Sequence, residues 1–242
     1  MKTSKTLPLL FALALTTPVF AAPDATTLLK KAEEIRNPQD DYSVKVVLKE
    51  SDKKEEKTFK TMIKGRDKAL VEFLTPKSDL GKKVLMSESN MWIYMPTSKK
   101  PIRVSPKQKL AGNAAYGDIA RLNFIGNYTP KYIKQDQVGK TKAHVLELNA
   151  IKDRPVTYSK LEYWIDASNN RPIKVLFQTK NGKTMKTGYF TDYKNVLGTV
   201  RPTTMKILDQ LRKGRHTTLK FIDAKKENLP GILFEKQNLG RS

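Results

Sequence analysis

The chain has no cysteine, which excludes disulfides, thiolate metal sites and cysteine nucleophiles together and leaves the fold to stand on its packed core. Histidine is almost as scarce. His144 and His216 are the only two, far apart in sequence, and each reads as a polar strand residue before it reads as a ligand or a proton shuttle. No glycine-rich phosphate loop, Gly-x-Ser-x-Gly elbow or His-Glu-x-x-His run occurs. Acidic residues are few, 24 against 46 Lys and Arg. The pairs Asp40-Asp41 and Glu55-Glu56 fall in turns, and Asp118 is placed to cap a helical piece from Ile119 to Asn123. The parts of an active site are therefore missing, and the expectation is a non-enzymatic protein with no cofactor and no metal.

Long apolar runs are absent too, apart from Leu7 to Leu15. Lys2 and Lys5 precede that run and Val19-Phe20-Ala21 follows it, the order of a secretory signal peptide cleaved after Ala21. The run is too short to span a bilayer, although a retained amphipathic or core helix is an alternative reading. The expected product is an exported protein with residues 1–21 removed and residues 22–242 forming one domain. A formal charge of +22 in such a protein points to anionic head groups or acidic partners before nucleic acid. The simpler account is that Lys45, Lys49, Lys60 and Lys174 form the wet face of a half-buried sheet.

What the chain does have is alternation. Tyr42, Val44, Val46 and Leu48 recur with period two, as do Phe59, Thr61 and Ile63, then Ala69, Val71 and Phe73, and later Tyr163 with Ile165 and Val175 with Phe177. Asn90 to Met95 is apolar on both faces, Met91, Ile93 and Met95 one way and Trp92 and Tyr94 the other, so that strand needs two covers. Lys180-Asn181-Gly182-Lys183 reads as a two-residue hairpin turn. From Pro106 to Asn123 the period turns loosely helical through Leu110, Ala114, Ile119 and Leu122, and Leu28, Ala32 and Ile35 repeat at helical spacing behind Asp24. The fold class predicted is mainly β: one curled antiparallel sheet of roughly ten strands, an unclosed barrel lidded by an N-terminal helix and a mid-chain helical insert.

Such a half-barrel encloses an apolar space. Strand parity assigns Val46, Phe59, Val71, Phe73, Trp92, Tyr94, Tyr163, Ile165, Val175 and Phe177 to its lining, with Leu122 and Phe124 from the lid. Trp164 and Tyr189 join the same aromatic set. Core filling and ligand contact are both open readings of these residues. Arg103, Lys107 and Lys109 are candidate head-group contacts. An acyl chain of about sixteen carbons, at about 0.8 kcal/mol per methylene, gains on the order of 12 kcal/mol from burial and cannot cross water unescorted.

The run Asn90-Met-Trp-Ile-Tyr-Met-Pro, continued by Lys-Lys-Pro-Ile-Arg-Val-Ser, Leu-Ala-Gly and Gly117-Asp-Ile-Ala-Arg-Leu-Asn-Phe to Asn127-Tyr128, resembles the LolA-like outer-membrane lipoprotein-sorting proteins of Gram-negative bacteria. Leu233-Phe-Glu-Lys-Gln-Asn-Leu-Gly-Arg resembles that family's usual ending, and the similarity runs from about Asp24 to Arg241. The resemblance implies a lidded half-barrel that binds lipid or acylated lipoprotein cargo and passes it on without a cofactor. It also implies partners, an inner-membrane transporter or exporter and an outer-membrane acceptor. The branch commonly has Asp-Tyr where this chain has Asn127-Tyr128, so a charge at that point is not carried over. The competing function is a periplasmic interaction module that binds an exporter or a polyanion through its basic surface. A hydrolase is third.

Overall fold

The computed structural model describes residues 22–240 apart from Ser89, Arg121, Leu122, Pro155 and Lys213. The expected signal segment and Leu122 therefore lie outside the described residues. The first described element is helix α1 (Ala25–Arg36), whose N-terminus Asp24 caps by accepting the backbone N–H groups of Thr26 and Thr27. Strands β1 (Tyr42–Glu50), β2 (Glu56–Lys64), β3 (Lys68–Thr75), β4 (Lys83–Ser87), β5 (Asn90–Tyr94) and β6 (Ile102–Arg103) follow as a meander. A long crossing then carries β7 (Lys109–Ala111), β8 (Ala114–Ala115) and the single-turn helix α2 (Tyr116–Ile119). A second meander runs through β9 (Tyr128–Val138), β10 (Thr141–Ala150), β11 (Lys160–Asp166), β12 (Pro172–Gln178), β13 (Thr184–Val196), β14 (Thr199–Asp209) and β15 (His216–Lys226).

The two meanders join where the last strand meets the first. β15 pairs with β1, and the result is one 13-stranded sheet with spatial order β6-β5-β4-β3-β2-β1-β15-β14-β13-β12-β11-β10-β9. Every pairing is antiparallel, and β6 and β9 are left as free edges, so the sheet is not closed into a barrel. The chain must still get from one edge to the other. The stretch between them makes that journey, and its Ala111, Ala114, Ile119, Ala120 and Phe124 lie in the same buried cluster as the sheet's inner residues. The lid is a consequence of the topology.

Which residues face inward follows from register. Val46 stands opposite Phe59, and Phe59 opposite Phe73, forming a row across β1, β2 and β3. On the other side Leu146, Tyr163, Val175, Gly188 and Ile207 are successive partners from β10 to β14. The side chains of both rows belong to the main core with Leu28, Leu29 and Ala32 of α1, Gly188 leaving room for its neighbours. A second cluster lies on the outer face of the first meander, where Met62, Leu70 and Leu85 meet Leu229, Phe234 and Leu239. Those last residues come from the C-terminal segment, which includes 3-10 turns at Gly231–Phe234 and Lys236–Asn238. Strands β3 and β4 are thus covered on both faces, as their continuous buried runs require.

Three local expectations change. The large sheet has 13 strands rather than about ten, because the second meander runs nearly without interruption and β6 adds a short edge. Among its described residues the mid-chain insert is α-helical only over Tyr116–Ile119; the stretch before it folds as the β7–β8 ladder around Gly112 at φ +52. Extended backbone covers about 3.3 Å per residue against 1.5 Å for a helix, and this segment has a wide sheet to cross. Asp118 consequently sits inside the helical turn rather than ahead of it. The Asn181-Gly182 turn is also longer than a two-residue hairpin. Gln178 pairs with Thr184, and Gly182 has positive φ while Asn181 does not.

Candidate functional site

The inner face of the sheet gathers eight of the residues assigned to it by parity, and Phe124 of the lid joins them. Val46, Phe59, Val71, Tyr163, Ile165 and Val175 are 0% exposed, and Phe73, Phe124 and Phe177 are also buried in the same cluster. The aromatic rings meet edge to face: Phe59 with Phe73 at 5.0 Å between centroids, Phe124 with Tyr128 and with Tyr163 at 5.5 Å each. Gly188 completes the floor. A Cβ there would stand 2.8 Å from Val175 Cγ1 and 3.0 Å from Phe177 Cε2, so the neighbouring side chains fold over the glycine.

Trp92 and Tyr94 leave this set. Met91 and Ile93 take the inward positions of β5, so Trp92 and Tyr94 point outward and pack on the second cluster beneath the C-terminal segment. Trp164 is outward too, against Ala143 and Val145, with the Lys174 ammonium 4.3 Å from its ring. Alternation shows that two sets face opposite ways; it does not say which way is in.

The apolar face is covered in the closed molecule by α1 and by Ala111, Ala114, Ile119, Ala120 and Phe124 of the crossing segment. What space remains is a pocket of about 460 Å³ counted out to its mouth, bordered by Arg36, Asp118, Phe124, Tyr128, Tyr158 and Phe177. Polar ties hold the covers down. Asn113 is gripped at both backbone groups, its N–H donating to Thr217 Oγ1 at 2.8 Å and its carbonyl accepting from Lys186 Nζ at 2.6 Å. The Tyr158 hydroxyl donates to Asp118 Oδ2 at 3.0 Å, and the same oxygen accepts the Ala115 N–H at 2.8 Å. Thr61 Oγ1 donates to the Ile119 carbonyl at 3.3 Å. On α1, Glu33 pairs with Arg36 through two bonds of 2.6 and 2.7 Å and also accepts the Phe124 N–H.

Enclosure alters the charges in this group. Burial pushes the Asp118 carboxyl above its ordinary range, partly opposed by the Lys186 ammonium and by the Ala115 and Tyr158 hydrogen bonds. Burial lowers Lys186, against the pull of Asp118, and holds the Tyr158 phenol well up. Sequence reading did not single out Tyr158 or Lys186. Lys186 stands directly opposite the inward Phe177 across β12 and β13, so parity counted back from that pair places a cation on the apolar face.

The three candidate head-group residues separate. Arg103 and Lys107 border one groove with Arg154 from the loop after β10, and Lys109 lies at a different one with Arg212 and Arg215. Arg103 is held by the Asn90 side-chain oxygen at 2.6 Å.

A family model described only as "Uncharacterized protein" matches residues 65–241. Among solved structures, a LolA superfamily protein from Nitrosomonas europaea is 36% identical, covering 89% of this chain and 99% of that one with a TM-score of 0.83. An outer membrane lipoprotein-sorting protein domain from Vibrio parahaemolyticus shares the fold at 24% identity and TM-score 0.74, over 90% of this chain and 98% of that one. A protein from Desulfovibrio piger does so at 22% identity and TM-score 0.74, with 89% and 97% covered. Among curated proteins no sequence matches.

Proposed function

Because the chain belongs to the LolA superfamily, we propose that it is a non-enzymatic carrier which shelters the acyl chains of a lipid or lipoprotein against the inner face of its open sheet. The observation that carries this reading is the cover. A continuous apolar face, from Val46 and Phe59 to Val175 and Phe177, is roofed by a crossing segment whose own backbone is anchored at a handful of polar points. Each such tie contributes about 1 kcal/mol net, and Ile119 and Phe124 add about 1.5–3 kcal/mol apiece by burial. A sixteen-carbon chain gains on the order of 12 kcal/mol from the same space. Lid and cargo are thus covers of comparable strength, and uptake and release exchange one for the other. Transfer is passive, with no bond made or broken.

In this reading residues 1–21 direct export and are removed, residues 22–242 work in the periplasm as one domain, and an inner-membrane transporter or exporter and an outer-membrane acceptor are the donor and recipient. Replacing Val71 or Phe73 by Glu, the obvious way to spoil the lining, also places a carboxylate in a packed core and costs stability. The better test removes no residue. Mass spectrometry of an organic extract of the protein, purified from its native envelope without detergent, should find a stoichiometric lipid or acylated peptide. An empty extract from folded protein that also refuses a fluorescent fatty-acyl probe would contradict the carrier reading and favour an interaction module acting through the basic surface.

A further inference from the structure

A groove of about 800 Å³ counted to its mouth spans the open side of the sheet, between the β5–β6 edge and the loop that follows β10. Its floor is apolar and continuous with the interior. Met91 and Val156 are members of the main core, Val104 packs against that core, and Val156 also borders the inner pocket beneath the lid. Its rim is cationic. Arg103, Lys107 and Arg154 are exposed and form no ion pair with a described residue, and no carboxylate borders the groove among the described residues. Some lysines elsewhere on this surface have acidic partners, as Lys57 and Lys82 share Asp79 and Lys160 meets Glu147, but 46 Lys and Arg against 24 Asp and Glu leave many without one. What distinguishes the groove is the gathering of three cations, none with an acidic partner among the described residues, over an apolar floor; Arg103 is oriented there by its bond to the Asn90 side-chain oxygen.

We propose that this groove is the head-group site of the carrier and that its cargo is an anionic amphiphile, with a phosphate held by Arg103, Lys107 and Arg154 and its acyl chain passing over Val104 and Val156 to the inner face. The inference rests on the carrier reading and adds the chemical class of the cargo. The guanidinium groups supply forked donors for phosphate oxygens, and Lys107 supplies a point charge. A free inorganic anion leaves the apolar floor uncovered; a neutral lipid leaves the cations without a partner. A phosphate-bearing lipid satisfies both.

The test is uptake of fluorescently labelled lipid from neutral phosphatidylcholine vesicles by the mature protein, with phosphatidic acid and diacylglycerol probes that carry identical chains. Phosphatidic acid is expected to be taken up about tenfold better than diacylglycerol, the scale of a charge-assisted contact. The triple variant Arg103→Gln, Lys107→Gln, Arg154→Gln should lose that preference and keep its uptake of diacylglycerol. A control removing equal charge from exposed positions outside the groove's lining, Lys131→Gln, Lys140→Gln and Lys180→Gln, should keep the preference. Equal uptake of both lipids by the parent, or a preference that survives the triple variant, overturns the assignment while the carrier stands. Competition by inorganic phosphate at the lipid's own concentration would assign the groove to a free anion. Sedimentation with phosphatidic-acid vesicles without lipid extraction would assign it to a membrane surface. Either result overturns the proposal, and failure to take up either lipid overturns the carrier reading with it.

Discussion

Glu33 Oε2 accepts the backbone N–H of Phe124 at 2.8 Å, across 91 residues of sequence, so the helix and the crossing segment that cover the sheet are tied directly to each other. The same carboxylate holds Arg36, whose guanidinium lies 4.1 Å from the centre of the Phe124 ring. Helix, ion pair and lid aromatic form one unit, and Phe124 in turn sets its edge against Tyr163 of the floor.

Glu33→Ala removes the acceptor and one half of a buried ion pair, and should lower stability by about 3 kcal/mol. Urea unfolding followed by tryptophan fluorescence measures it. Glu33→Gln keeps an oxygen for the Phe124 N–H and should cost less than the alanine. A loss below about 1 kcal/mol for the alanine would mean that the two covers are held independently.

The Asp118 carboxyl gives a pH signature. Enclosure raises its folded value above the ordinary 3.8, with Tyr158, Lys186 and Arg36 facing it. The folded chain therefore holds that proton more tightly than the unfolded chain does. Its stabilisation is complete below pH 3.8 and is lost as pH rises through the folded value. Asp118→Asn cannot ionise and escapes the loss. The variant should thus gain on the parent as pH rises from 3.8, then run parallel once Asp118 has ionised. Denaturant midpoints across that range that differ by a constant amount would sink this account.

The second apolar cluster should be separable from cargo binding. Phe234 is 2% exposed and packs on the outer face of the sheet. Phe234→Ala should cost about 3–5 kcal/mol and leave acyl-probe uptake by the folded fraction unchanged. Phe124→Ala, on the inner face, should alter uptake as well as stability. Equal effects of the two on uptake would place cargo on the wrong face.

Gly188→Ala tests how tightly the floor is packed. The added methyl meets Val175, Met205 and Phe177 at 2.8–3.0 Å, which should cost about 1–3 kcal/mol in a thermal or urea melt. A neutral substitution would mean that the floor yields easily in the closed state.

Much of this was legible in the chain because half-buried strands write their faces into the sequence. Tyr42, Val44, Val46 and Leu48 mark β1, and Met91 to Tyr94 announce a strand with two covers, which α1 with the lid and the C-terminal segment then supply. The resemblance carried by residues 90–128 led to the superfamily that the comparison at 36% identity shows. What sequence could not show was orientation and distant pairing. Trp92 and Tyr94 alternate correctly and face outward, because which face of β5 is inner is decided by β1 to β3 and the helix. Leu110, Ala114 and Ile119 are spaced like a helix, yet a crossing of this width favours extended chain. The contact of Asp118 with Tyr158 joins residues 40 apart, and the grip of Lys186 on Asn113 joins residues 73 apart, so no local pattern marks either.

The central claim is that the lid must lift for the inner face to take an acyl chain, and a crosslink tests it. A Cβ built on Gly112, whose φ is +52, overlaps Thr217 Oγ1 and stands 2.7 Å from Glu50 Cγ, so the variant Gly112→Cys, Thr217→Cys with Glu50→Ala sets two cysteines side by side in a chain that otherwise has none, at a cost in strain that its reduced form shares. Uptake of a fluorescent fatty-acyl probe would be measured on this variant oxidised, with the crosslink verified by mass, and again after reduction. The account predicts that the oxidised protein refuses the probe and that reduction restores uptake. Equal uptake in both states would mean that cargo binds without displacing the crossing segment, and would contradict the account.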